Sequence, residues 1–190
     1  MDKLYIVHRW HGDHTSDWYP WLRSELEARN IVVIIPDMPH KDTPTIIDWV
    51  AALPRFSKDS YRSTYFVGHS VGCQTVLRYL EIVPDDLEIG GAVLVAPWVK
   101  LKNLEEGEDA IAKEWLEAPI DWESVREHCS NFTIIYSDND PYVPLENAKI
   151  LERNLNAKLV MDSGKGHFSD EEGITKLPSV LEEVLDIVRD

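Results

Sequence analysis

The sequence predicts an α/β domain with about six mostly parallel strands and helices on both faces of the sheet. Three observations carry that expectation. Six short β-rich apolar runs recur along the chain, at residues 4–7, 31–35, 64–67, 91–96, 132–136 and 157–161. The stretches between them have helical periodicity. A Gly-x-Ser-x-Gly pentapeptide, Gly68 to Gly72, sits where the third run gives way to one of those helices. Most of the runs are apolar on both faces instead of alternating, which is the pattern of parallel strands covered on both sides.

Each predicted helix has its own local signal. Residues 18–29 place Trp18, Trp21, Leu22 and Leu26 on one stripe, with Glu25 and Glu27 facing out. Residues 45–56 carry Ile46, Ile47, Val50 and Leu53 behind Pro44, a residue suited to a first turn. Residues 71–82 follow the serine directly. Asp121 is positioned to cap a helix reaching Cys129. Residues 145–154 and 171–188 complete the set, the last with Leu177, Leu181, Val184, Leu185 and Val188 as a core stripe. Residues 102–122 break the pattern. They are acidic, contain Gly107, and read as a surface excursion: either a partial lid over a site or a solvated loop with a short helix.

Bulk composition bounds the remaining classes. The 190 residues suit one domain, 1–190, large enough to bury a core without staples. The net charge of −15, from 34 acidic and 19 basic residues, disfavours nucleic acid and anionic membrane as partners. There is no basic cluster, zinc spacing, phosphate loop or dinucleotide fingerprint, so no cofactor is expected. The two cysteines, Cys73 and Cys129, form no disulfide framework and fit a reducing, cytoplasmic setting. The start, "MDKLYIVHRWHGD", lacks the basic segment and long apolar core of a secretory signal, and no run approaches a membrane span.

The pentapeptide has a physical logic. A strand that turns abruptly into a helix presents Ser70 at a strained corner. Side chains at 68 and 72 would strike neighbouring backbone there. In that architecture the partners follow in the order serine, acid, histidine. His167, in "DSGKGHFSD", lies in the loop between the last strand and the last helix, where the carboxyl ends of parallel strands gather active sites. His69 adjoins the serine but would point away from it, packing or hydrogen-bonding beneath the turn. "YSDNDPYVP" supplies the acid and leaves Asp138 and Asp140 both available, with Pro141 biasing Asp140 towards an extended backbone at the strand mouth. An oxyanion would be held by the Val71 amide and by a backbone amide of the first loop, Arg9 or Trp10. Trp10, Trp98 and Trp115 are candidates for the walls of a small apolar pocket.

Taken together, "DWYPWLRSELEA", "IPDMP", "VGHSVGC", "VLRY", "VLVAPW", "FTIIYSDNDPYVP" and "GKGHF" resemble the small serine hydrolases related to retinoblastoma-binding protein 9, within the α/β-hydrolase superfamily. The likeness runs over most of the chain. It implies a compact α/β-hydrolase fold without a large cap domain, with Ser70 as nucleophile, Asp140 as acid and His167 as base. One departure is plain: relatives often carry a glycine-rich first loop, whereas here it reads "HRWHGDH" with Gly12 as its one glycine.

The chemistry expected of such a set is hydrolysis of small carboxylic esters, with amides as a second class, through an acyl-enzyme. Two rivals are weighed. His8, His11, Asp13 and His14 have the form of a metal motif, although the serine set already accounts for a site without metal. The second rival is a weak or inactive scaffold for an unspecified protein partner.

Overall fold

The computed structural model describes residues 1–54 and 58–189. Its six strands are β1 (Lys3–Val7), β2 (Val32–Ile34), β3 (Thr64–His69), β4 (Gly91–Val95), β5 (Phe132–Tyr136) and β6 (Lys158–Met161). They form one sheet in the order β2-β1-β3-β4-β5-β6, every pair parallel. Of the four inner strands, β3, β4 and β5 are buried at every position and β1 at every position but Lys3, which is why their sequences do not alternate. The edge strand β6 has exposed ends.

Among the described residues there are seven α-helices, six of them arranged on the two faces of the sheet. On one face lie α1 (Tyr19–Glu27) and α7 (Pro178–Arg189), which touch each other and pack on β2 and β4 respectively. On the other face α2 (Ile46–Ala52), α3 (Val71–Leu80), α5 (Trp122–His128) and α6 (Glu146–Leu155) contact in succession. The central helix α3 is buried along its whole length. The remaining helix, α4 (Glu108–Glu117), belongs to the acidic excursion.

Local signals explain most boundaries. Pro20 occupies the first turn of α1, and Tyr19, Leu22 and Leu26 form its buried stripe. Thr45 caps α2 by accepting from the Asp48 amide, and Asp121 caps α5 by accepting from Ser124. Helix α2 closes at Ala52, ahead of Pro54, whose ring disfavours helical backbone before it. The expected end of that helix at Phe56 lies outside the described residues. The last predicted helix divides in two. Residues Asp170–Glu172 make a single 3₁₀ turn, Gly173 breaks it at φ +80°, and α7 starts only at Pro178. Its buried stripe is Leu177, Val180, Val184 and Ile187, with Leu181, Leu185 and Val188 half-buried beside it. Among the described residues no helix is long and apolar enough to cross a membrane.

Strand order places the site. The chain runs from β1 outward to β2, then returns past β1 to β3. The loops leaving β1 and β3 therefore diverge at the carboxyl ends of adjacent strands, where open parallel sheets form a crevice. Val7 pairs with Gly68 in register, so the first loop and the serine turn begin side by side.

Candidate active site

Ser70 is the corner between β3 and α3. Its backbone has φ 54° and ψ −116°, a sparsely populated conformation that costs about 1–3 kcal/mol and persists only where surroundings enforce it. The surroundings are backbone on both sides. A Cβ on Gly72 would lie 2.1 Å from the Val7 carbonyl oxygen, and one on Gly68 would lie 2.7 Å from Cys73 Cα. The Ser70 amide donates to the Val95 carbonyl at 2.9 Å, and the Ser70 carbonyl accepts from the Cys73 amide. Ser70 is 7% exposed and lines a cavity of about 350 Å³ that His167 also lines. The Trp98 indole N–H donates to Ser70 Oγ at 3.3 Å.

His167 and Asp140 meet directly: Nδ1 donates to Asp140 Oδ2 at 2.8 Å, both residues being buried. The other carboxylate oxygen, Oδ1, accepts from the amides of Tyr142 and Val143 at 2.8 and 2.9 Å. That turn fixes the carboxylate plane. Asp138 does something else. It is exposed, and its Oδ1 accepts from the Gly164 amide, a bond that lowers its pKa. Ser137 Oγ and Asn139 Oδ1 take the next two amides, those of Lys165 and Gly166. Three successive side chains after β5 thus hold three successive amides of the loop that carries His167.

A second support comes from beyond the histidine. Glu172 Oε2 accepts from the His167 amide, the Ser169 amide and Ser169 Oγ. Gly166, at φ +55°, makes room: a Cβ there would sit 1.9 Å from Glu172 Oε1. Sequence reasoning placed this carboxylate inside a helix. The signal that finds it is the Ser169-x-x-Glu172 capping box, readable from spacing alone.

The first loop is held by Arg9. Its guanidinium pairs with Asp17 at 2.9 Å and reaches Asp170 at 3.5 Å, while Asp17 also accepts from the Asp170 amide. Of the two candidate oxyanion amides, Arg9 N–H is committed to Tyr19 Oη at 3.1 Å. The Trp10 amide has no acceptor among the described residues. Tyr19 belongs to the buried stripe of α1, and its hydroxyl also meets His69 Nδ1 at 2.7 Å. Residues fifty positions apart leave no local sequence signal of that contact.

The tryptophans separate. Trp10 and Trp98 line the cavity with Tyr142 and Leu101. Trp115 does not, which corrects the expectation that it walls the pocket. It lies on the inward face of α4, donates its indole N–H to the Pro44 carbonyl at 3.0 Å and packs edge-on against Trp49. That carbonyl lies in the chain leading into α2, so the indole is held in the core and borders a different groove. The excursion still contributes a wall through Leu104, Glu105 and Glu108. Glu171 and Glu172 line it too, so the cavity carries four carboxylates against Arg9, whose charge Asp17 already offsets.

The histidine-rich first loop scatters its side chains. His8 is buried, donating Nδ1–H to the Arg9 carbonyl and accepting from the Met38 amide at Nε2, and burial lowers its pKa. His11 pairs with Asp42 and His14 with Asp37. Among the described residues no three His, Cys, Asp or Glu side chains converge as metal ligands.

Known proteins share this arrangement of elements. Residues 4–186 match the family described as Serine hydrolase. YdeN of Bacillus subtilis (strain 168) is 31% identical over 179 residues, covering 94% of this chain and 92% of YdeN. Serine hydrolase RBBP9 of Rattus norvegicus is 26% identical over 161 residues, covering 83% and 81%. The crystal structure of the ydeN gene product from B. subtilis superposes with a TM-score of 0.90 at 28% identity, over all of both chains. Est1E from Butyrivibrio proteoclasticus, at 17% identity and a TM-score of 0.73 over 100% of this chain and 89% of Est1E, shares the fold. With nearly the whole chain inside the family match, this protein belongs to the serine hydrolase family and is a hydrolytic enzyme of α/β-hydrolase fold.

Proposed function

We propose that this single-domain protein hydrolyses small carboxylic esters, with amides as slower substrates, through a Ser70–His167–Asp140 triad. The observation that carries the reading is the Asp140–His167 hydrogen bond, set in the wall of the cavity that Ser70 enters from its strained corner. With Nδ1–H held by the carboxylate, neutral His167 keeps a lone pair on Nε2 for the serine proton.

The sequence of events follows from that tautomer. Ser70 Oγ forms a bond to the acyl carbon as its proton passes to His167 Nε2. The carbonyl π pair moves onto oxygen, where the Val71 amide at the start of α3 and the Trp10 amide donate to it. Trp10 serves better than Arg9 because the Arg9 amide is already bonded to Tyr19. The carbonyl then re-forms, the bond to the leaving group breaks, and imidazolium protonates the departing alkoxide or amine. Water repeats the cycle and releases the acid.

The cavity volume and its Trp10, Trp98 and Tyr142 walls suit a small acyl or aryl group. The surrounding carboxylates favour neutral or cationic substrates over anionic ones. A fluorophosphonate probe tests the assignment together with an ester panel of graded acyl length. Labelling and turnover are expected for the native protein and lost in Ser70→Ala and His167→Ala. Labelling that survives Ser70→Ala overturns the nucleophile.

A further inference from the structure

Beneath the serine corner, four groups form one hydrogen-bonded chain. The Arg9 amide donates to Tyr19 Oη at 3.1 Å, Tyr19 Oη lies 2.7 Å from His69 Nδ1, and His69 Nε2 lies 2.8 Å from the His167 carbonyl oxygen. Both ends have fixed polarity, since an amide only donates and a carbonyl only accepts. His69 must therefore carry its proton on Nε2. Neutral imidazole then offers Nδ1 as an acceptor, and the Tyr19 hydroxyl donates to it while accepting from Arg9. One tautomer satisfies every group.

The environment keeps His69 neutral. Tyr19 and His69 are fully buried. Burial pushes the imidazole far below its ordinary pKa, the His167 and Arg9 charges push the same way, and the His167 carbonyl and Asp140 oppose them. Asp17 Oδ2 stands 3.7 Å from Nδ1, and the Trp18 ring covers one side.

We infer that Tyr19 and His69 are positioning residues that lock the first-loop amides and the backbone of His167 to each other, so that the oxyanion site and the base are set as one unit. The inference rests on the roles proposed above for Ser70, His167 and the first loop. Its basis is that the relay touches each of the three segments: it starts one residue before Trp10, passes through the neighbour of Ser70, and ends on His167 itself. A parallel tie, from Trp18 Nε1 to the Phe168 carbonyl at 3.1 Å, holds the loop but not the histidine's own peptide.

Three variants test it: Tyr19→Phe, which removes one hydroxyl; His69→Leu, which removes both imidazole bonds; and His69→Gln, which keeps a neutral donor for the His167 carbonyl. The readouts are kcat and KM on a p-nitrophenyl ester, normalised to sites titrated with fluorophosphonate, and thermal stability. Misplacing reacting groups by an ångström can cost about 100-fold in rate. Tyr19→Phe and His69→Leu are therefore expected to lower kcat by roughly 10- to 100-fold with KM within about threefold. His69→Gln should recover most of the loss, and the Tyr19→Phe/His69→Leu double variant should be no slower than His69→Leu. Folded variants that melt earlier yet keep native kcat per titrated site would overturn the inference, leaving a purely structural contact. So would strictly additive losses, or a His69→Gln no better than His69→Leu. If His69→Leu does not fold, Tyr19→Phe and His69→Gln decide the question through kcat. A native protein that neither labels nor turns over overturns the proposed function and this inference with it; native turnover with unaffected variants overturns the inference alone.

Discussion

Replacing Asp140 by asparagine tests the triad at a point where the structure dictates the outcome. Asp140 Oδ1 holds the Tyr142 and Val143 amides, while Oδ2 accepts from His167 Nδ1. In Asp140→Asn the carboxamide oxygen must remain on the two amides, because turning its NH₂ towards them would strand buried donors at about 1–3 kcal/mol each. The new NH₂ then faces His167 Nδ1, and two donors cannot meet. Neutral His167 answers by moving its proton to Nε2, which removes the lone pair that accepts the Ser70 proton. The corresponding change in a serine protease triad lowers kcat by about 10⁴, or about 5.4 kcal/mol of barrier at a factor of ten per 1.36 kcal/mol. A loss of about 10³- to 10⁴-fold in kcat on a p-nitrophenyl ester is expected, with the fold intact by circular dichroism. Asp138→Asn is the control. Its oxygen keeps the Gly164 amide bond, so turnover should fall by less than about threefold. Retention of activity within tenfold in Asp140→Asn, or an equal loss in Asp138→Asn, would refute the argument from the tautomer.

Three other outcomes follow from the same geometry. Gly72→Ala drives a Cβ into the Val7 carbonyl; overpacking of that kind costs about 3 kcal/mol, and a drop in Tm on the order of 10 °C is expected, whereas Gly107→Ala, with open space and only its φ of +91° against it, should lose about 1 kcal/mol; scanning calorimetry ranks the two, and equal losses would contradict the close-approach account. Stability should fall on acidification: burial lowers the pKa of His8 and His69, so the unfolded chain binds more protons once pH drops below about 6.5. The loss is at most about 2 kcal/mol per histidine at pH 5, urea titrations from pH 7.5 to 5 measure it, and His69→Gln should flatten the slope. An anionic ester should be hydrolysed more slowly than its neutral isostere, because each like charge about 8 Å away at an effective dielectric near 40 costs roughly 1 kcal/mol. The kcat/KM ratio should narrow as salt is added, and an anionic ester turned over as fast as the neutral one would show that Glu105, Glu108 and Glu171 do not govern entry.

Local rules determine much of this molecule. All six strands, the serine corner and its two glycines, the cap at Asp121 and the loop bearing His167 depend on residues close in sequence: apolar runs, steric limits at glycine, and a side chain that reaches its own helix end. The last helix is shorter than its sequence predicts because Glu172 is drawn to the His167 amide, Gly173 breaks the turn at φ +80°, and Pro178 disfavours helical backbone before it and opens α7. Spacing left Asp138 and Asp140 both open, and only the packed turn shows one carboxylate on the imidazole and the other on the loop. The same holds for Trp115, held in the core by a carbonyl 71 residues away, and for the relay from Arg9 through Tyr19 and His69 to His167. Hydrogen bonds between distant segments depend on how sheet register and helix packing bring them together, and no window of sequence contains that information.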